Sequence, residues 1–325
     1  MQRRQFLSTG IGTAVGLMAL RADAPRLQWR QRLLLGLGTT LSLRAAHENA
    51  RQLEAGLDAA VAAIRRVEAS MSLFNDRSEL ATLNRQGHID SPSPELLTVL
   101  RTALLVAQHS GGQFDPTVQP LWLLYAQAQR EGRLPSPGEL ALVRERIGWQ
   151  HVEMGDAGIA LQKPGMALTL NGIAQGYAAD LAKQTLVQHG ITHALIDAGE
   201  LACLGHNPRQ QPWMLGVENP RNVGQALANV SLDDRSVATS SDHRGAFSRD
   251  LMHHHILNPV TCDSPPALSS VTVLAHNTML ADALTKVMFI SGPDQIDALA
   301  RAWQVDVLWV EKAGFWHATS GIQLV

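Results

Sequence analysis

Apolar residues recur at helical spacing in the region 47–70. The apolar residues lie three or four positions apart along one face, with Arg and Glu between them: Leu53, Leu57, Val61, Ile64 and Val67. This spacing predicts an amphipathic helix that buries one face in a core.

Capping residues and stop residues mark the other predicted helices. Ser93 and Pro94 form a helix start, with Ser as the cap and Pro in the first turn, and Gly111 and Gly112 form the stop. The same signals predict helices at residues 93–109, at 137 to about 148, at 172–189, and from about 278 and 294.

Short runs of β-branched and other apolar residues between these helices predict strands. The predicted strands are 37–44, two short ones around 152 and 159, 168–170, 194–197, 213–217, 236–239, 255–257, 270–274, 305–310 and 315–318. Strands and helices mix without regular βαβ alternation, and no long linker divides the chain. The pattern therefore predicts an α+β fold in one compact domain of mixed strands and helices.

Composition narrows the class of protein. The chain has 325 residues, 27 Lys and Arg against 29 Asp and Glu, a formal charge of −2, 45% hydrophobic residues and 17% charged residues. These values are typical of a soluble globular protein. A near-neutral chain lacks the basic field that nucleic-acid binding through bulk charge requires, so no nucleic-acid partner is predicted and any bound phosphate needs a specific site.

The N-terminal segment has the features of an export signal. Arg3 and Arg4 precede an uncharged stretch of about 13 residues, followed by Ala22, Asp23 and Ala24. The stretch is shorter than the roughly 20 residues of a membrane-spanning helix. We therefore expect residues 1–24 to be a cleaved twin-arginine signal peptide, and residues 25–325 to be a periplasmic protein without a stable membrane anchor. Cys203 and Cys262 are expected to stay unpaired.

Two glycine-bearing segments are candidate binding sites. Gly112, Phe114 and Asp115 place an aromatic ring beside a carboxylate, which favours a flat heterocycle with polar edges or, alternatively, a helix C-cap followed by an Asp-Pro turn. Gly172 and Gly176 stand at the start of a predicted helix, where exposed amides favour an anion. Glycine there also fits simple helix packing.

Three histidines and one acid complete the candidates. His253, His254 and His255 suggest a transition metal, but in an extended segment only His253 and His255 could share a ligand, and a solvated run is the commoner case. Asp282 stands near the start of an apolar helix, where it could simply stabilise the helix dipole.

Taken together, the motifs resemble the FAD:protein FMN transferases, the ApbE-type flavin transferases. Most of the chain after the signal segment takes part in this resemblance. The matching segments are residues 38–40, 71–74, 78–80 with Asn84, 112–117, 171–180, 197–200, 238–240, 255–261 and 281–284.

The resemblance implies a T-fold-like domain with a defined chemistry. Such an enzyme takes FAD as substrate and, with Mg²⁺, transfers its FMN half to a Thr hydroxyl of a membrane-associated or periplasmic redox protein, releasing AMP. The implied catalytic residues are His255 and Asp282, and the implied metal ligands are Asp282 with Ala174 and Thr285. The implied FAD-binding residues are Leu37, Phe74, Gln113, Phe114, Asp115, Thr169, Gln175, Ile256 and Lys286.

Several positions depart from the family pattern. Gln175 replaces the usual Lys, Lys286 the usual metal-binding Thr, Glu200 a glycine and Cys262 another glycine. A variant subgroup is one interpretation. An ammonium and a divalent cation cannot share one position, so either Lys286 points away from the metal site or its charge substitutes for the metal. The alternatives to transfer are a non-catalytic FAD-binding protein and an FAD pyrophosphatase.

Overall fold

An antiparallel eight-stranded sheet is the main element of the fold. The computed structural model describes residues 27–155 and 157–325, so the predicted signal peptide lies outside the described residues. The strand order in the sheet is β1-β2-β6-β7-β10-β11-β12-β13. Its strands are β1 (Gln28–Gly36), β2 (Thr39–His47), β6 (His193–Asp197), β7 (Leu201–Leu204), β10 (Ser236–Ser241), β11 (Leu268–Ala275), β12 (Asp306–Glu311) and β13 (Trp316–Ala318).

Two smaller sheets and eight α-helices accompany the main sheet in the described residues. The order β3-β5-β4 forms one sheet, and β8 with β9 forms the other. These strands are β3 (His88–Ile89), β4 (Val152–Gly155), β5 (Gly158–Leu161), β8 (Met214–Glu218) and β9 (Ala226–Ser231). The helices are α1 (Ala50–Met71), α2 (Glu79–Gln86), α3 (Pro94–His109), α4 (Gln119–Arg130), α5 (Pro137–Arg144), α6 (Ala174–Gln188), α7 (Thr278–Ser291) and α8 (Pro293–Trp303). The fold is α+β, as predicted.

The helix α6 packs between α1 and α7, and α7 lies against β10 and β11. Gly176 makes the close approach of α6 to α7 possible: a Cβ at this position would stand 2.4 Å from the carbonyl oxygen of Thr278. A side chain here would push the helices apart. This contact fixes the start of α6 against the first turn of α7, and the start of α6 and the middle of α7 face the site described below.

The sequence prediction is wrong at two strands and incomplete at others. Residues 168–170 and 255–257 are not strands. The backbone of Leu168 pairs instead with the amide of Asn84, and His255 N–H binds the carbonyl of Gly245. The predicted strand 37–44 is a hairpin turn followed by β2. The strands β1, β3, β7 and β9 and the helices α2 and α4 were not predicted.

The remaining predicted elements agree in position with the structure within a few residues at most ends. Cys203 and Cys262 are free and buried, as expected. Among the helices of the described residues, none combines the length and the apolar character needed to cross a membrane.

Candidate active site

A cavity of about 410 Å³ opens where the start of α6, the end of β10 and the middle of α7 meet. Its volume falls in the range typical of small-molecule sites. Eight of the residues implied by the resemblance line it: Gln113, Phe114, Asp115, Thr169, Gln175, His255, Ile256 and Lys286. Segments far apart in the sequence thus meet at one place.

The other implied residues do not line this cavity. Asp282 and Thr285 are buried beneath its wall, being 1% and 0% exposed. Ala174 is buried in the first turn of α6, and Leu37 lies at the tip of the β1-β2 hairpin. Phe74 is 84% exposed on the turn after α1. The implied direct contacts of these five residues with FAD or metal therefore remain predictions.

The turn around Asp115 is both a structural turn and a cavity wall. Gly112, with φ +84°, ends α3 by donating to the carbonyl of Ala107 at 2.8 Å. Asp115 Oδ1 accepts the Thr117 N–H and hydroxyl, and Oδ2 accepts the Trp149 N–H at 3.1 Å. Burial raises the pKa of Asp115, and these bonds oppose the rise. Because both carboxylate oxygens accept hydrogen bonds from neighbouring protein groups, the main role of Asp115 is to fix the shape of the wall.

The start of α6 forms part of the wall at Gln175. Its N-cap residue, Ile173, supplies no side-chain hydrogen bond, but the Ala174 N–H donates to the Leu170 carbonyl and the Gly176 N–H to Asp282 Oδ2. Gly172 lets the Lys286 side chain approach, since a Cβ at residue 172 would stand 3.0 Å from Lys286 Cε. The backbone N–H of Gln175, at a helix start and next to an ammonium, is therefore the donor that favours a bound phosphate group.

The ammonium of Lys286 forms an ion pair with Asp282. Lys286 Nζ donates to the Asp282 carboxylate and, at 3.1 Å, to the Asp282 carbonyl oxygen. The Thr285 hydroxyl donates to the same carbonyl at 2.7 Å, and the Gly176 N–H donates to Asp282 Oδ2 at 3.3 Å. Of the two alternatives for Lys286, the one in which it points away from Asp282 does not agree with this geometry.

This donor set does not fit a divalent metal as it stands. Both carboxylate oxygens of Asp282 are engaged, one of them by a cation, and the Thr285 hydroxyl also bonds Ser240 Oγ at 2.7 Å. Over the described ranges, no group of three or more His, Cys, Asp or Glu side chains is arranged to hold a metal ion. A magnesium ion would have to displace Lys286 first.

The three consecutive histidines separate into three environments. His253 Nδ1 pairs with Asp263 at 2.8 Å, and His254 Nε2 meets the carbonyl of Pro265 at 3.3 Å inside the core. His255 lines the cavity. The structure does not bring His253 and His255 together as ligands of one metal.

His255 is a half-buried residue of the cavity wall. Burial of its ring, together with nearby His254 and Lys286, lowers its pKa to about 4, so the imidazole is neutral at pH 7. Its Nδ1 is shielded from solvent and has no hydrogen-bond partner within residues 27–155 and 157–325. A buried ring nitrogen without a partner is costly, so the ring of His255 is incompletely satisfied at the edge of the cavity.

Glu200 is a cavity residue that the sequence analysis did not place in the site. Its Oε2 accepts the Thr239 N–H at 3.1 Å, and burial, reinforced by the charge of Asp282, raises its pKa well above the ordinary value. The departure from the family glycine at this position was the available signal. Arg244 and Trp122, also on the wall, carried no motif signal because they stand outside the matching segments.

Gln175 holds the hairpin tip. Its Nε2 donates to the carbonyl of Leu37 at 3.1 Å, while the Leu37 N–H donates to Glu68 Oε1 at 2.8 Å. Leu37 adopts a φ of +50°, a left-handed conformation that is strained for a residue with a Cβ. Its two backbone bonds fix this strained residue beside the site.

Comparisons with known proteins agree with this architecture. A protein of Treponema pallidum named FAD:protein FMN transferase is 30% identical over 297 residues, covering 84% of this chain and 82% of that protein. One of that name from Vibrio cholerae is 29% identical over 257 residues, or 76% of each chain. The crystal structure of the ApbE protein from Thermotoga maritima matches with a TM-score of 0.82 at 26% identity, over 90% of this chain and 97% of that one.

A second solved structure, the flavin transferase ApbE from Vibrio cholerae, matches with a TM-score of 0.78 at 25% identity, covering 91% of this chain and 98% of that one. A sequence profile of the ApbE family matches residues 37–309. The motifs, the fold and these similarities agree, and the chain belongs to the ApbE family.

Proposed function

We propose that this protein is an FAD:protein FMN transferase, which takes FAD as substrate and attaches its FMN half to a Thr hydroxyl of a flavin-accepting protein. One observation carries the proposal: Gln175 at the start of α6, the Lys286 ammonium and the neutral His255 line one cavity. The first two suit a diphosphate, and the third can accept the proton of an attacking hydroxyl group.

The reaction is a displacement at phosphorus. The acceptor Thr oxygen attacks the phosphorus of the FMN half, and a new oxygen–phosphorus bond forms. The bond from that phosphorus to the bridging oxygen breaks, and AMP leaves with this oxygen. Positioning and charge neutralisation supply most of the rate in such reactions.

His255 is the proposed acceptor of the Thr proton. Its lowered pKa of about 4 keeps the imidazole unprotonated at neutral pH, so it can accept a proton. A diphosphate bound nearby would raise this pKa by its negative charge, toward the range in which a general base works best. We therefore expect His255→Gln to lower the transfer rate far more than FAD affinity.

Lys286 and the Gln175 N–H at the start of α6 are proposed to hold the diphosphate. Both lie on the side of the cavity where Gly172 keeps the backbone open. Magnesium, which the resemblance implies, cannot occupy Asp282 while Lys286 is bound there.

Phe74 and the turn of Gln113 and Phe114 are proposed to contact the flavin. Phe74 is an exposed aromatic ring on the turn that follows α1, and Glu68 near the end of α1 binds the hairpin tip beside the cavity. An exposed aromatic ring offers a stacking surface for a flat heterocycle.

A single assay distinguishes this proposal from the two alternatives. The purified protein is incubated with FAD and a candidate acceptor, with and without MgCl₂, while AMP, free FMN and covalently bound flavin are followed. Equal amounts of AMP and protein-bound FMN support transfer. AMP with free FMN would indicate an FAD pyrophosphatase, and FAD binding without any AMP would indicate a non-catalytic FAD-binding protein.

The place of action is part of the proposal. Arg3, Arg4 and the apolar segment that follows support export by the twin-arginine pathway to the periplasm, and an acceptor there that is a membrane-associated or periplasmic redox protein. Changing both arginines to lysine should retain the protein in the cytoplasm. Unchanged periplasmic delivery of that variant would contradict this assignment.

A further inference from the structure

Lys286 is placed where a metal would have to bind. We propose that its ammonium is the resident cation of this site, so that the chain itself neutralises the diphosphate of FAD and FAD binding does not depend on a divalent metal. The inference rests on the proposed function, because it concerns the same substrate.

The oxygens of Asp282 that could bind a metal are already occupied. Lys286 Nζ binds its carboxylate Oδ1 and its carbonyl oxygen, and the Gly176 N–H binds Oδ2. These oxygens are the hard donors that a magnesium ion would use. Asp282 is 1% exposed, so water cannot replace a partner that is removed. Lys286 therefore satisfies a buried carboxylate that would otherwise need a metal.

The Lys286 ammonium has one N–H donor left for a ligand in the cavity. An ammonium has three N–H donors, and Asp282 uses two of them. The Lys286 side chain is 18% exposed and lines the cavity, and its stem passes over Gly172 just before α6. The third donor is thus available to a phosphate oxygen that also meets the Gln175 N–H at the α6 start.

Two cationic side chains, Lys286 and Arg244, are the Lys and Arg residues among the described residues of the cavity wall. Arg244 is well exposed and pairs with Glu218 at 2.9 Å, so solvent screens it. Lys286 is the more buried of the two, and a less exposed charge acts more strongly on a bound diphosphate.

Gln175 stands at the position where the family usually has Lys. Its amide bonds the carbonyl of Leu37 and carries no charge, so this position supplies no cation to the cavity. The cation has moved from the start of α6 to α7, where it is fixed by Asp282. The two departures from the family pattern are explained together by one relocated charge.

The deciding experiment measures FAD affinity of the unaltered protein by calorimetry in excess EDTA and in millimolar MgCl₂. We expect the two dissociation constants to agree within about twofold, since the cation is part of the chain. FAD binding that requires Mg²⁺, or that Mg²⁺ strengthens about tenfold or more, would overturn the inference and leave the proposed function intact. Absence of FAD binding in both buffers would instead contradict the proposed function.

Matched variants test the role of the charge. Lys286→Met keeps the aliphatic stem and removes the charge, and we expect roughly 10- to 100-fold weaker FAD binding in EDTA, in line with the loss of a charge-assisted hydrogen bond. Lys163→Ala, a lysine on a turn away from the cavity, should bind FAD normally. Thermal unfolding verifies that each variant is folded.

Metal binding itself provides a readout independent of activity. Electron paramagnetic resonance with Mn²⁺ should show no bound ion in the unaltered protein, and a bound ion in Lys286→Thr, in which Asp282 is released. FAD binding by Lys286→Thr should then become dependent on Mg²⁺. Tight Mn²⁺ binding by the unaltered protein, or undiminished FAD affinity of Lys286→Met in EDTA, would refute the proposal.

Discussion

The carboxylate of Asp180 on α6 caps the first turn of α7 at Thr278. Its Oδ1 accepts the Thr278 N–H and its Oδ2 the Met279 N–H, both at 2.8 Å. The Asp in the matching segment 171–180 therefore acts on the neighbouring helix. The cap holds α7 in the position from which Lys286, paired with the buried Asp282, reaches the cavity.

Loss of this cap should affect both stability and binding. Asp180→Ala leaves two N–H groups of α7 without partners, and we expect the free energy of unfolding to fall by about 1–2 kcal/mol. FAD affinity should fall as well, because α7 is no longer fixed to α6. Asn277→Ala is the control: it removes the local cap of α7 to Leu280 N–H, costing about 1 kcal/mol, but keeps the bond between the helices. Equal FAD affinities in the two variants would contradict a positioning role for Asp180.

Phe74→Ala should weaken FAD binding without lowering stability. The ring is 84% exposed, so its removal leaves no cavity in the core. A stacked aromatic contact is worth about 0.5–1.5 kcal/mol beyond area burial, which predicts roughly 2- to 10-fold weaker binding by calorimetry. Phe74→Trp should retain affinity. If Phe74→Ala binds FAD as tightly as the unaltered protein, the flavin does not stack on this ring.

Cys262 occupies a position that favours glycine. Its φ is +60°, while its side chain is fully buried beside Leu257 and Tyr125. We expect Cys262→Gly to be about 1 kcal/mol more stable than Cys262→Ala, because only glycine adopts this conformation without strain. Denaturant unfolding of the two variants measures the difference. A more stable alanine variant would show that the backbone is not strained there.

His254 should make stability depend on pH. Burial, assisted by the charge of Lys312, lowers its pKa to about 4, and the side chain is fully buried. The unfolded chain therefore binds a proton that the folded chain excludes between about pH 6.5 and pH 4, and stability falls as the pH falls through this window, by about 3 kcal/mol for this residue.

The variant His254→Gln tests this effect. Its amide can donate to the Pro265 carbonyl, as His254 Nε2 does at 3.3 Å. Part of the acid destabilisation should disappear, with His255 responsible for what is left, and above pH 7 the two unfolding curves should run parallel. An unchanged slope between pH 6.5 and pH 4 would exclude His254 as the source.

Much of the local structure could be predicted because its causes are local. Ser93 and Pro94 begin α3, and Gly111 and Gly112 end it, through interactions within a few residues. The strand prediction at 255–257 is wrong because alternation alone does not show which partner a backbone takes. His255 N–H binds Gly245 across a loop, and no neighbouring strand is available there.

The sequence by itself determined the family, the α+β class and most helix ends, because family motifs and helix caps each depend on residues that are close together in the sequence. It also contains Asp282 and Lys286 at i and i+4, a spacing that places them side by side on a helix. Only the tertiary structure decided that this pair is largely buried, that it lies against the start of α6 and that His255 and Lys286 line one cavity. The physical reason is that these contacts join residues as far apart as Gly172 and Lys286, and their geometry follows from the packing of α6, α7 and the central sheet.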